Sequence, residues 1–186
     1  MDRKTHYFFA IELPNEVKDS LGQWATELER NHPFKSWVHP LDYHITLAFL
    51  GDAPQSMLED TVKLLRKGNK QLVSFPLTIN GLGTFGKENQ PRILWADVKK
   101  QPLLYNLQKY VWNACTEIGF MLDKKAFTPH IKLARRCKVT MEKDSLRQME
   151  DYLPSISEFK VEHLVLYKTN SQSIPKYEPI VTFPLV

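Results

Sequence analysis

The chain has 186 residues, 42% of them apolar and 25% charged, and 25 Lys and Arg against 21 Asp and Glu give a formal net charge of +4. That size and balance predict one globular domain and exclude a disordered or low-complexity chain. No apolar run approaches the ~20 residues of a membrane span, and Tyr7–Ile11 is too short for a secretory signal. Two cysteines, Cys115 and Cys137, make neither a disulfide framework nor a metal spacing, so a cytoplasmic location is expected. The small basic excess suits either a solvated surface or an anionic partner such as nucleic acid.

Strands and helices alternate along the chain. Tyr7–Glu12 reads as a strand, and Val17, Leu21, Ala25 and Leu28 behind Pro14 as one face of a helix. Tyr43–Leu50 is a second strand, ended by Gly51-Asp52-Ala53-Pro54, and Leu58, Val62 and Leu65 mark a helix. Phe75–Leu82 reads as a strand followed by a glycine-containing loop from Gly83 to Gln90, and Ile93–Val98 as the next strand. Leu104, Leu107, Val111, Ala114 and Ile118 predict a long helix, and His130–Ala134 a strand. Leu146, Met149 and Leu153 suggest a short helix, and Val161–Tyr167 and Ile180–Phe183 the last strands.

The pattern repeats. Displaced by 86 positions, His44-Ile45-Thr46-Leu47-Ala48 meets His130-Ile131-Lys132-Leu133-Ala134, and Leu21 and Ala25 meet Leu107 and Val111. Two similar lobes, about 1–72 and 73–186, are expected within one domain, with an exchange of terminal strands left open. A pseudo-two-fold arrangement would let the two histidine strands face each other across a cleft.

Strand alternation then puts His44 with Thr46 and His130 with Lys132 on one face, and Ile45, Leu47, Phe49, Ile131 and Leu133 on the other. Two imidazoles suit general acid–base catalysis near neutral pH. A hydroxyl and an ammonium between them suit a phosphoryl oxygen. This layout can hydrolyse a phosphodiester without a metal, and a strained 2',3'-cyclic phosphate is a favourable substrate. A metal reading would add His39 and Asp42 to His44, but no His-x-x-x-His or cysteine pair completes a ligand set.

These motifs resemble the 2H phosphoesterase superfamily, and within it the RNA 2',3'-cyclic phosphodiesterase (ThpR or LigT-like) family. The likeness runs through Tyr7–Pro14, Trp37-Val38, His44–Gly51, Pro91–Ala96 and Phe127–Arg135. It implies an α+β fold of two lobes, with antiparallel sheets around a central cleft flanked by helices. It also implies hydrolysis of RNA-terminal 2',3'-cyclic phosphate to a 2'-phosphomonoester, with no metal or other cofactor. By position, His44 would be the proton donor to the 3'-oxygen and His130 the proton acceptor that activates water. Thr46 and Arg135 would bind phosphate oxygens, and the chain would work as a monomer on RNA ends, with no membrane partner. Lys132 stands where the family has threonine, and as a longer cationic donor it can hold the same phosphate. His6 stands where the family often has arginine. Plain alternation puts Arg136 rather than Arg135 on the face of His130, so the strand must bend for Arg135 to reach the site. A 2H phosphoesterase for a small cyclic nucleotide and a catalytically quiet RNA-binding module remain alternatives at this level.

Overall fold

The computed structural model describes residues 5–32, 34–68, 72–142, 144–151 and 158–186. In chain order the elements are β1 (Tyr7–Glu12), α1 (Asn15–Asn31), β2 (Phe34–Trp37), β3 (His44–Gly51), α2 (Gln55–Lys67), β4 (Phe75–Lys87) and β5 (Gln90–Val98). There follow α3 (Pro102–Ile118), β6 (His130–Cys137), α4 (Ser145–Glu150), β7 (Glu158–Val161), β8 (His163–Thr169) and β9 (Tyr177–Pro184). A short 3-10 turn, Pro40–Asp42, leads into β3. Leu153, expected on the fourth helix, lies outside the described residues.

The strands form an antiparallel sheet in the order β7-β4-β5-β6-β3-β1-β8-β9, with β2 added alongside β6. This is the expected α+β architecture, with the histidine strands β3 and β6 adjacent at its centre. Their contact is narrow: Ile45 pairs with Ile131 and the strands then diverge. The C-terminal pair β8 and β9 flanks β1, and β2 crosses to the strand that carries His130.

Helix α1 buries Val17, Leu21, Trp24, Ala25 and Leu28, at helical spacing, into the same core as Ile45 and Ile131. Glu16 in its first turn and Arg30 in its last complement the helix dipole. In α3, Pro102 fills the first turn, where its missing N–H costs nothing. Gly119, at φ 106°, closes the helix, and the N–H groups of Gly119 and Phe120 donate to the carbonyls of Thr116 and Cys115.

Three expectations change. Gly83–Gln90 is not a loop, because β4 continues to Lys87 and pairs with β5 throughout. Its glycines serve the strand itself: Gly81 takes φ 81° near a register shift, and a Cβ on Gly83 would collide with the Trp95 indole. The segment Val161–Tyr167 is broken at Glu162, so β7 and β8 join opposite ends of the sheet. Strand β2 was not anticipated, since Phe34–Trp37 is too short to show a period.

Candidate active site

Both histidine strands bulge at the same step. Opposite β1, the register moves from Ala48 to Thr46 while the partner advances one residue, from Phe9 to Ala10. Opposite β5, it moves from Ala134 to Lys132 while the partner advances from Leu94 to Trp95. Each bulge buries two consecutive residues, Leu47 with Ala48 and Leu133 with Ala134, and so reverses the alternation beyond it. Arg135 therefore comes out on the face of His130, and Arg136, at φ 58°, takes up the bend. The same reversal corrects Phe49, which leaves the apolar face and stands 56% exposed beside Thr46.

The two imidazoles are held alike. His44 Nδ1 lies 2.7 Å from the Asp42 carbonyl oxygen, and His130 Nδ1 lies 2.8 Å from that of Thr128. A carbonyl only accepts, so both Nδ1 atoms carry hydrogen and each neutral ring keeps its lone pair on Nε2. The Thr46 hydroxyl is 3.0 Å from His44 Nε2 and donates to it in that state. Aromatic rings fix the orientation: Phe8, Tyr167 and Tyr177 surround His44, and Phe85 and Trp95 flank His130.

Electrostatics tie the group together. Burial holds His44 down to about 4, helped by the positive charges of Lys132, His130 and Lys18, against the pull of the Asp42 carbonyl. His130 is likewise lowered by burial and by Lys132. Lys132 is itself lowered by burial and by Arg135. The structure thus brings His44, His130, Lys132 and Arg135 within electrostatic reach of one another, with Thr46 bonded to His44.

A cleft opens at each end. Beyond His44, 400 Å³ lies among α1, the turn before β3, Arg135 and Tyr177. Beyond His130, 1140 Å³ lies among α3, the segment before β6, Phe49 and Phe85, with Arg92, Lys109, Lys124 and Lys125 along its lining. His39 and Asp42 make no metal centre with His44: among the described residues no three His, Cys, Asp or Glu side chains group as ligands. His6 reaches the groove rim, its ring edge-on to Phe49.

Sequence reasoning missed Tyr177, Lys18 and the exposed side of Phe49. Tyr177 arrives from the far C-terminus, with no local motif to mark it. Lys18 sits 5% exposed on α1, 3.8 Å from Glu12, at a helix position whose spacing predicts an apolar residue. Among the described residues, no helix is long and apolar enough to cross a membrane.

Comparison with known proteins agrees with this fold. Residues 11–95 match the family model described as LigT like phosphoesterase. An RNA 2',3'-cyclic phosphodiesterase of Geobacillus stearothermophilus is 39% identical over 99% of this chain, which spans 58% of that relative's length. One of Bacillus subtilis is 31% identical over 99% of this chain and 98% of its own. Among solved structures, E. coli LigT complexed with 3'-AMP superposes with a TM-score of 0.77 at 22% identity, covering 99% of both chains. A Thermus thermophilus structure gives 0.75 at 27% identity, covering 97% of both.

Proposed function

This chain belongs to the LigT-like phosphoesterases, and from that premise we propose that it hydrolyses RNA-terminal 2',3'-cyclic phosphodiesters to 2'-phosphomonoesters, without a metal. The observation that carries the reading is the pair of imidazoles, each locked by an Nδ1–H to backbone carbonyl bond with Nε2 left for proton transfer. His130 Nε2 takes a proton from the attacking water. His44 Nε2–H gives one to the departing 3'-oxygen. Thr46, Lys132 and Arg135 hold the phosphoryl oxygens as charge builds on them.

The low proton affinity of His44 fits this role once substrate is bound. In the empty groove Lys132, His130 and Lys18 all oppose an imidazolium. A phosphodiester anion offsets those charges and draws a proton onto His44. Substrate thereby arms its own acid.

The chain reads as one domain of two lobes, about 1–72 and 73–186, that exchange β2 for β8 and β9. We read the enzyme as a monomer. The free cysteines Cys115 and Cys137 suit a cytoplasmic one.

The test is incubation with 2',3'-cyclic mononucleotides and an oligonucleotide ending in cyclic phosphate, in EDTA, with products identified by phosphorus NMR. The 2'-phosphate is expected. Activity lost in EDTA and restored by a divalent ion overturns the metal-free reading. A 3'-phosphate product overturns the assigned leaving group. An oligonucleotide bound but left intact identifies a binding module instead of an enzyme.

A further inference from the structure

Asp42 does two things at once. Its backbone carbonyl accepts the Nδ1–H of His44 at 2.7 Å. Its carboxylate, on a residue 5% exposed, points to the C-terminal segment. There it accepts the Lys176 N–H at 2.9 and 3.1 Å and the Tyr177 N–H at 3.1 Å. Those bonds fix the start of β9, and so fix Tyr177. The Tyr177 ring stands edge-on to His44, with centroids 5.0 Å apart and planes at 88°. Burial raises the proton affinity of its hydroxyl, and the Arg135 guanidinium, which lines the same cavity, pulls it back.

Among the described residues, no matching arrangement stands around His130. Thr128 supplies the same backbone acceptor, at 2.8 Å, but brings no carboxylate. The rings against His130, Phe85 and Trp95, belong to the paired strands β4 and β5. The His44 side instead takes one of its walls from Tyr177, held by a carboxylate 135 positions earlier in sequence. A buried carboxylate bonded to two successive backbone N–H groups is a costly way to close a surface loop unless the segment must be held in register.

We propose that Asp42 and Tyr177 are positioning residues that latch the C-terminal strand onto the active site, orienting the His44 imidazole through the Tyr177 ring and the Arg135 guanidinium through its hydroxyl. The kinetic part rests on the phosphodiesterase reading above; the geometric part does not. A latch of this kind separates two variants. Tyr177→Phe keeps the ring against His44 and releases Arg135. Asp42→Ala releases the segment and with it both contacts.

The experiment measures kcat and KM on a 2',3'-cyclic nucleotide, and follows the His44 ring proton through a pH titration by NMR in the unliganded protein. Asp42→Ala is expected to lower kcat about 10–100-fold, the scale of an ångström of misplacement, and to move the His44 titration up from about 4 as the ring gains water. Asp42→Asn, whose amide oxygen still accepts a backbone N–H, should restore much of both, which rules out the lost negative charge as the cause. Tyr177→Phe should raise KM with the His44 titration in place. Tyr177→Leu removes the ring while leaving the backbone bonds, and tests the same point if Asp42→Ala does not fold. An unmoved His44 titration in both Asp42→Ala and Tyr177→Leu overturns the latch, whatever the activity. So does a loss confined to KM in those two variants. If no variant nor the parent turns over substrate, the phosphodiesterase reading fails while the titration still decides the latch.

Discussion

The N-terminal half around His44 and the C-terminal half around His130 share a skeleton and differ in chemistry. Each places a histidine at the start of a central strand, bonds its Nδ1 to a carbonyl two residues back, and bulges at the same later step. Yet the matched positions hold Thr46 against Lys132 and Phe49 against Arg135. His44 is enclosed by three aromatic rings and opposed by the charges of Lys132 and Lys18, and by His130 whenever that ring is protonated. His130 has two rings and one opposing cation, Lys132. The repeated backbone supplies two equivalent proton-transfer groups. On the proposed mechanism, the unmatched side chains make one a better acid only when an anion is present and leave the other ready as a base.

The strongest way to break that comparison is to remove each histidine. His44→Ala and His130→Ala should each lower kcat/KM by about 10²–10⁴-fold, the worth of one positioned acid or base. The double variant should fall little further than the weaker single if the two act as one unit, as proposed. Near-normal turnover in either single variant would show that the halves share a shape but not a job. Melting temperatures measured alongside separate lost chemistry from lost folding.

Lys132 sharpens the comparison. Lys132→Thr makes the two motifs alike at this position, and Lys132→Ala removes the proposed ammonium donor while Thr46 and Arg135 remain. Alanine should cost about 10–100-fold in kcat/KM, the scale of a hydrogen bond to a charged group, and threonine should recover much of it. Both changes delete a positive charge that lowers His130 and His44, so both rings should bind protons more tightly. A base with higher proton affinity is neutral only at higher pH, and the acidic limb of the kcat/KM profile should move up. Coincident profiles for all three proteins would show that Lys132 does not face the phosphate.

Much of this was legible in the sequence. The five-residue match between His44–Ala48 and His130–Ala134 located the two strands and their polar face, and the helical spacings located α1 and α3. Phe9 and Tyr43 fell in the core as their apolar bulk suggests. What stayed hidden depends on backbone irregularity or on distance along the chain. A bulge has no residue signature of its own, so plain alternation assigned Phe49 to the wrong face and turned Arg135 away from the site. The glycines at 83 and 86 read as punctuation, although both lie in a continuous strand, where Gly83 makes room for Trp95. Tyr177 has no motif, because its partner Asp42 stands 135 positions earlier.

The smallest expected effect concerns stability and asks whether the two histidines differ as their surroundings suggest. His44 is held at about 4 in the folded chain, below its ordinary value of 6.5. Between those values the unfolded chain binds more protons at this site than the folded one, so stability rises with pH across that window. The contribution is absent above about 6.5, where both forms are neutral, and the full penalty is present below about 4. His44 is only half-buried by its accessible surface, which discounts the penalty to about 1–2 kcal/mol. His130 acts with the same sign, through burial and Lys132. Urea unfolding at a series of pH values for the parent, His44→Ala and His130→Ala would read these terms by difference, because carboxylate titrations common to all three cancel. Both variants should lose less stability than the parent on acidification through that window. His44→Ala should be the flatter, since His44 has the fuller aromatic enclosure and the additional cations. Parallel curves for parent and His44→Ala would show that its imidazole is as well solvated in the fold as in the unfolded chain, and the electrostatic distinction between the two halves would go with it.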